Sequence, residues 1–217
     1  MGIIQLLIYF AIAGLLLTLI TRYITKQHGT WLMSFLQHFA GVWFLVSGFV
    51  KAVDPLGTAY KMEQYFAEFE STFQHTWVSF ITPMFPLLGK YSISFSVFMI
   101  IIEMVLGILL ITGGWKKFTG WLFLIIVVFF TILTGFTFLT GYVPEGANFF
   151  QFSKWVAYDA TRMKVTDCGC FGDFLKLEPK VSFMKDLFLL IPSVLFIIRR
   201  SQMHTLINDK FTKWYVG

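Results

Sequence analysis

Four apolar runs of 18 or more residues, at 3–20, 32–50, 92–112 and 118–142, restrict this chain more than any other feature. A bilayer-spanning helix needs about 20 residues, with a range of about 17–25. Lipid offers no partner to backbone N–H and C=O groups, so such runs must fold as helices that satisfy themselves. A fifth run, 187–198, is shorter; it contains Pro192 and is read as tilted, kinked or lengthened back through 181–184. Only 13% of the residues are charged and 57% are hydrophobic, against about a quarter charged in soluble domains. The chain therefore reads as an all-α integral membrane protein. Run 3–20 has the hydrophobicity of a signal peptide but lacks a basic leading region and a small-x-small cleavage site, and its core is too long. It reads as a retained anchor.

Basic residues set the expected orientation. Arg22, Lys26, Lys116, Lys117, Arg199, Arg200, Lys210 and Lys213 fall within segments 21–31, 114–117 and 199–217. The two long connections, 51–91 and 141–186, are more than twice as long in total and hold the remaining basic residues at lower density. The denser side is expected to be cytoplasmic, which puts the N-terminus and both long loops outside and the C-terminus inside. The net charge of +5 is then a topology signal, and no nucleic-acid partner is expected. Trp31, Tyr91, Trp115, Trp121 and Tyr142 fall near span ends, at the headgroup level such rings prefer.

Loop 51–91 carries Met62, Phe66, Phe69, Phe73, Trp77 and Phe80 at steps of three or four, with polar residues between them. This is the period of an amphipathic helix. It either lies in the outer interface or packs as a lid, and a quinone-binding role for the rings is open. The Pro83 and Pro86 segment is expected to end it. In loop 141–186, Val143-Pro144-Glu145-Gly146 is a turn signal, and Phe149, Phe150, Phe152 and Trp155 suggest a second interfacial helix.

The same loop holds the chain's only two cysteines, in Asp167-Cys168-Gly169-Cys170-Phe171-Gly172-Asp173. A disulfide needs Cα atoms about 4.4–6.8 Å apart, which residues i and i+2 reach only on a bent backbone. Gly169 permits the dihedrals. So small a ring adds little chain-entropy stabilisation, and strained exposed disulfides tend to be the oxidising ones. A reversible dithiol–disulfide pair is the leading reading. Two structural thiols, a link from one cysteine to a partner chain, or a metal site assisted by His75 are the alternatives. Cys-x-Cys is not a usual zinc spacing, and no metal is expected. Lys164, Lys176 and Lys185 would favour a thiolate; Asp167 and Asp173 would oppose it.

Glu103 is an acid within a span, a costly placement that usually faces the bundle interior. It is read either as a proton relay for thiol chemistry or as a structural acid. Lys51 and Asp54, just past the second run, are its candidate partners at the outer surface, with Lys51 alternatively a snorkelling anchor.

These residues carry a resemblance. Ser47-Gly48-Phe49-Val50-Lys51-Ala52-Val53-Asp54-Pro55-Leu56-Gly57, with Tyr60-Lys61-Met62 and Tyr65-Phe66, resembles the first core helix of DoxX-like proteins. Glu103 with Leu106-Gly107-Ile108-Leu109-Leu110 resembles their second. The Cys-Gly-Cys-Phe-Gly-Asp block, with Lys176, Pro179, Ser182-Phe183 and Lys185-Asp186, resembles the MauE branch, and the likeness covers residues 36–198. It implies a four-helix core like that of quinone-linked disulfide enzymes, in the bacterial inner membrane. It also implies thiol–disulfide chemistry, as in disulfide formation during methylamine dehydrogenase maturation or, in a related branch, thiosulfate:quinone oxidoreduction. Two departures stand out: the extra span 3–20, and a longer, more aromatic stretch at 143–163.

The expected organisation is an N-terminal anchor and cytoplasmic loop (1–31), a DoxX/MauE-like four-helix core (32–198) and a basic cytoplasmic tail (199–217). Cys168 and Cys170 are the expected catalytic pair. Asp167, Gly169, Phe171, Gly172, Asp173, Lys185 and Asp186 support them, and Glu103, Lys51 and Asp54 lie within or at the membrane. The expected partners are the lipid bilayer and an extracytoplasmic thioredoxin-like protein, with quinone as the cofactor the resemblance allows. The competing reading is a non-enzymatic subunit of a larger envelope or secretion complex. A small-substrate transporter fits less well, because few polar residues besides Glu103, Gln37 and His38 lie within the runs.

Overall fold

The computed structural model describes residues 2–25, 29–163, 165, 169 and 177–206. Its helices are α1 (Ile3–Thr25), α2 (Trp31–Val53), α3 (Pro55–Phe73), α4 (Met84–Lys90), α5 (Ser92–Thr112), α6 (Lys116–Thr140) and α7 (Pro179–Ile198). Five of these, α1, α2, α5, α6 and α7, are long and apolar enough to cross a membrane. Their outward faces carry Ile4, Leu16, Val97, Ile108, Ile132 and Ile191, all exposed. Apolar surface on that scale suits lipid and not water.

The fifth span is lengthened toward its N-terminal side, one of the expected outcomes: α7 starts at Pro179 and has 20 residues. Proline fits the first turn of a helix, where its missing N–H would have no partner anyway. Lys185 and Asp186 interrupt the apolar run in sequence, but they pair with each other in the fold. Pro192 lies inside the helix without ending it.

The chain divides into two compact units, whose boundaries fall within α2, α5, α6 and α7. The first comprises residues 1–49, 101–128 and 187–217. In it α1 buries one stripe, Leu6, Phe10, Thr18 and Thr21, against α2: the Phe10 and Trp43 rings lie 5.2 Å apart, and a Cβ on Gly14 would come within 3.0 Å of the Phe39 backbone. Helices α2 and α5 meet through glycines. A Cβ on Gly107 would lie 2.8 Å from Leu45 N and 2.9 Å from the Gly41 carbonyl oxygen. Small residues allow this close backbone approach, through which helices pack in lipid. Phe44, Phe123 and Phe196 fill the space beyond.

The second unit comprises residues 50–100 and 129–186. Asp54 caps α3 by accepting a hydrogen bond from Gly57 N at 2.9 Å, and Pro55 begins the helix. The aromatic stripe of α3 mostly packs inward. Met62 and Phe66 are buried, and Phe69 and Phe73 join a cluster with Phe85, Phe136, Phe149 and Phe150. Only Trp77 and Phe80, 75% and 76% exposed, face outward. The helix ends at Phe73, before the prolines. Pro83 and Pro86 instead open α4, the latter in its first turn. The predicted second interfacial helix is a single 3-10 turn, Phe152–Lys154. Its rings are used in packing, and Trp155 Nε1 donates to the Phe149 carbonyl at 3.0 Å. The 143–147 turn forms as expected, with Gly146 at φ +76° and Ala147 N donating to the Pro144 carbonyl.

Candidate functional site

The approach to the cysteine motif is firmly anchored. Asp159 accepts hydrogen bonds from Thr161 N at 2.9 Å and Thr161 Oγ1 at 2.8 Å. These bonds, the backbone one foremost, hold its carboxyl below the ordinary carboxylate range. Met163 and Val165, next along the chain, are both buried. Gly169 adopts φ +59°, in the left-handed region that side chains other than glycine's adopt at a cost. A Cβ there would lie 3.1 Å from Lys61 Cγ, so the middle of the motif rests on α3. Cys168, Cys170, Asp167, Phe171, Gly172 and Asp173 lie outside the described residues, as do Lys164 and Lys176.

A cavity of about 910 Å³ opens in the same unit, with Glu68, His75, Glu145, Lys154, Arg162 and Met163 on its wall. Asn148 Nδ2 donates to the His75 carbonyl at 2.9 Å and ties the loop to the end of α3. Both signs of charge line the cavity, and Met163 leads into the cysteine motif.

Several polar groups within the spans have partners in the fold. Lys185 Nζ lies 2.7 Å from Asp186 Oδ1, with both side chains buried. Thr134 on α6 donates to Asp186 Oδ2 at 2.9 Å. Both carboxylate oxygens are therefore used, as a buried carboxylate requires. In the first unit Glu103 is 1% exposed and accepts a hydrogen bond from Ser47 Oγ at 3.1 Å. Lys51 does not follow the snorkelling alternative. It belongs to α2, is 4% exposed rather than snorkelling, and holds its ammonium 5.0 Å from the Phe130 ring centroid, a cation–π distance. Asp54 is exposed and acts as the α3 cap.

Ser47 and Thr134 escape a reading of the sequence because an isolated hydroxyl in an apolar run carries no signal of its partner. So does a stacked imidazole pair, His38 on α2 and His204 after α7, with ring centroids 4.3 Å apart and planes 14° from parallel. No sequence spacing links residues so far apart in the chain.

Fold and buried polar groups together define a multi-pass, all-α integral membrane protein. No family model, curated protein or solved structure gives a match to the chain.

Proposed function

We propose that this is a DoxX/MauE-like thiol–disulfide redox protein of the bacterial inner membrane, with its N-terminus outside and its C-terminus in the cytoplasm. The observation that carries the reading is Gly169 at φ +59° between the two cysteines, a bend of the kind a disulfide between residues i and i+2 requires. The mixed-charge cavity beside the approach to the motif supports docking of an extracytoplasmic thioredoxin-like partner.

A thiolate of the partner's dithiol attacks one sulfur of the Cys168–Cys170 disulfide, forming a mixed disulfide and releasing the other sulfur as thiolate. The partner's second thiolate resolves the mixed disulfide, leaving the partner oxidised and Cys168 and Cys170 reduced. Two electrons and two protons then pass to a quinone, which becomes quinol and regenerates the disulfide. Glu103, buried in the span, is the proton carrier this reading offers.

Trapping tests the scheme. In a Cys170→Ser variant, or the reciprocal Cys168→Ser, the remaining thiolate attacks the disulfide of the oxidised partner, breaking that bond, and the mixed disulfide so formed is expected to accumulate because the chain holds no second thiol to resolve it. Differential thiol labelling of whole cells is expected to find the wild-type pair accessible from outside and present in both redox states. Absence of any trapped species, with both thiols permanently reduced, overturns the proposal. The outward-facing Trp77 and Phe80 favour a second reading, a non-enzymatic subunit of a larger membrane complex. Purification in mild detergent as a chain with no stable companion would count against it.

A further inference from the structure

One end of the first unit gathers polar groups that none of this chemistry uses. Segment 203–206, beyond α7, lies against α2, the end of α5 and the start of α6. His204 N donates to Gln37 Oε1 at 2.9 Å, and His204 Nε2 lies 2.9 Å from the Ile111 carbonyl oxygen. Lys116 Nζ donates to the Met203 carbonyl at 2.6 Å, and Leu206 N donates to the Thr112 carbonyl at 2.8 Å. The His204 ring stacks on His38, and both residues are buried, 4% and 0% exposed.

Hydrogen-bond accounting fixes both tautomers. The Thr18 hydroxyl gives its one proton to the Gly14 carbonyl at 2.7 Å. Its oxygen, 3.0 Å from His38 Nδ1, must therefore accept, so His38 carries its hydrogen on Nδ1. A carbonyl can only accept, so His204 carries its hydrogen on Nε2. Two bare lone pairs remain, on His38 Nε2 and His204 Nδ1, both buried and without a hydrogen-bond partner among the described residues. They are the two atoms that a proton would occupy.

The surroundings disfavour a proton on His204 while the segment is in place. From α1 comes Arg22, which donates to the Gly29 carbonyl at 3.3 Å and stacks over Trp31. From α6 comes Lys116. Helices α1, α2 and α6 contain no acid, and α5 contains only Glu103, eight residues or roughly 12 Å along the axis from Ile111. Lys117, Arg199 and Arg200 are exposed, and Asp209 lies outside the described residues.

We propose that His38 and His204 form a proton-operated latch, which holds segment 203–206 against the helix ends while both rings are neutral and frees it when they take up protons. Burial holds the His204 imidazole below its ordinary value; the Ile111 carbonyl pulls the other way, and Lys116 adds to the effect of burial. A depressed value in the closed state means that the latch keeps its full strength above about pH 6.5, the ordinary imidazole value. As pH falls below that, the open-to-closed ratio rises about tenfold per unit for each proton taken up. With the C-terminus inside, the latch reads cytoplasmic acidification.

Hydrogen exchange of the full chain in detergent, corrected for intrinsic rates, tests this at pH 7.5 and pH 5.5. The open fraction of residues 203–206 is expected to rise roughly tenfold for one proton or a hundredfold for two, while Met84–Lys90 in the other unit stays unchanged. The double variant His38→Asn, His204→Gln keeps a donor near each ring position but does not titrate, and its pH response is expected to vanish. Equal wild-type protection at both pH values, an equal response in Met84–Lys90, or an undiminished response in the double variant overturns the proposal. Imidazole titration of the wild type by nitrogen NMR gives a check that needs no variant: ring protonation and loss of protection must share one midpoint, and separate midpoints refute the latch.

Discussion

Gly113→Ala gives the sharpest test of the packing beyond α7. Gly113 has φ +65°, and a Cβ there would overlap the His204 carbonyl oxygen. The left-handed conformation alone costs an alanine about 1–2 kcal/mol. The overlap is with backbone, so no side-chain rotation relieves it and segment 203–206 must lift. Lifting breaks the hydrogen bonds to Gln37, Ile111, Lys116 and Thr112, each worth about 1 kcal/mol net. Four such bonds correspond to roughly a thousandfold protection, which the variant is expected to lose. Gly146→Ala is the matched control. Its φ is +76°, but a Cβ there would meet nothing within 4 Å, so it should show only the conformational strain, about 1–2 kcal/mol, confined to its own turn. The assay is hydrogen exchange of the His204 and Leu206 amides in the full chain at pH 7.5. If Gly113→Ala leaves those amides within about threefold of wild type, or if Gly146→Ala exposes them equally, the steric argument is wrong.

Three further outcomes are expected. Asp186→Asn is expected to lower thermal stability by about 3–5 kcal/mol by taking a carboxylate partner from the buried Lys185 ammonium, and the double variant Lys185→Met, Asp186→Leu is expected to recover most of it; equal losses in both would count against the pairing argument. If the disulfide form needs the Gly169 bend more than the dithiol form does, Gly169→Ala at a strain of about 1.4 kcal/mol raises the Cys168–Cys170 potential by about 30 mV, read by thiol labelling in glutathione buffers; an unchanged potential refutes that dependence. The Asp159 cap has a depressed carboxyl value, so its contribution is whole above the ordinary carboxylate range and is lost as pH falls through the lowered value. The Thr161 amide should therefore lose exchange protection only in acid, and Asp159→Asn should flatten that response.

The spans are legible because lipid leaves the backbone no alternative: a long apolar run must become a helix, and α1, α2, α5 and α6 follow the runs closely. Span α7 looks short in the sequence because Lys185 and Asp186 resemble loop residues until their pairing is seen. The stripe on α3 is legible as helical, since its period is local. Its use is not, because the partners Phe85, Phe136 and Phe149 come from distant segments. Gly169 stands out in the sequence for its backbone freedom, and its positive φ agrees with that reading.

The sequence by itself determined class, the membrane-length helices and the chemical identity of the cysteine motif, because hydrophobicity, helical period and residue type are properties of neighbours along the chain. Only the tertiary structure decided which polar groups are matched. Glu103 with Ser47, Asp186 with Thr134, Lys51 over Phe130, and His38 against His204 join residues separated by dozens of positions or more. Such pairings follow from burial, where a polar group must find its partner within the fold because water is not there to supply one.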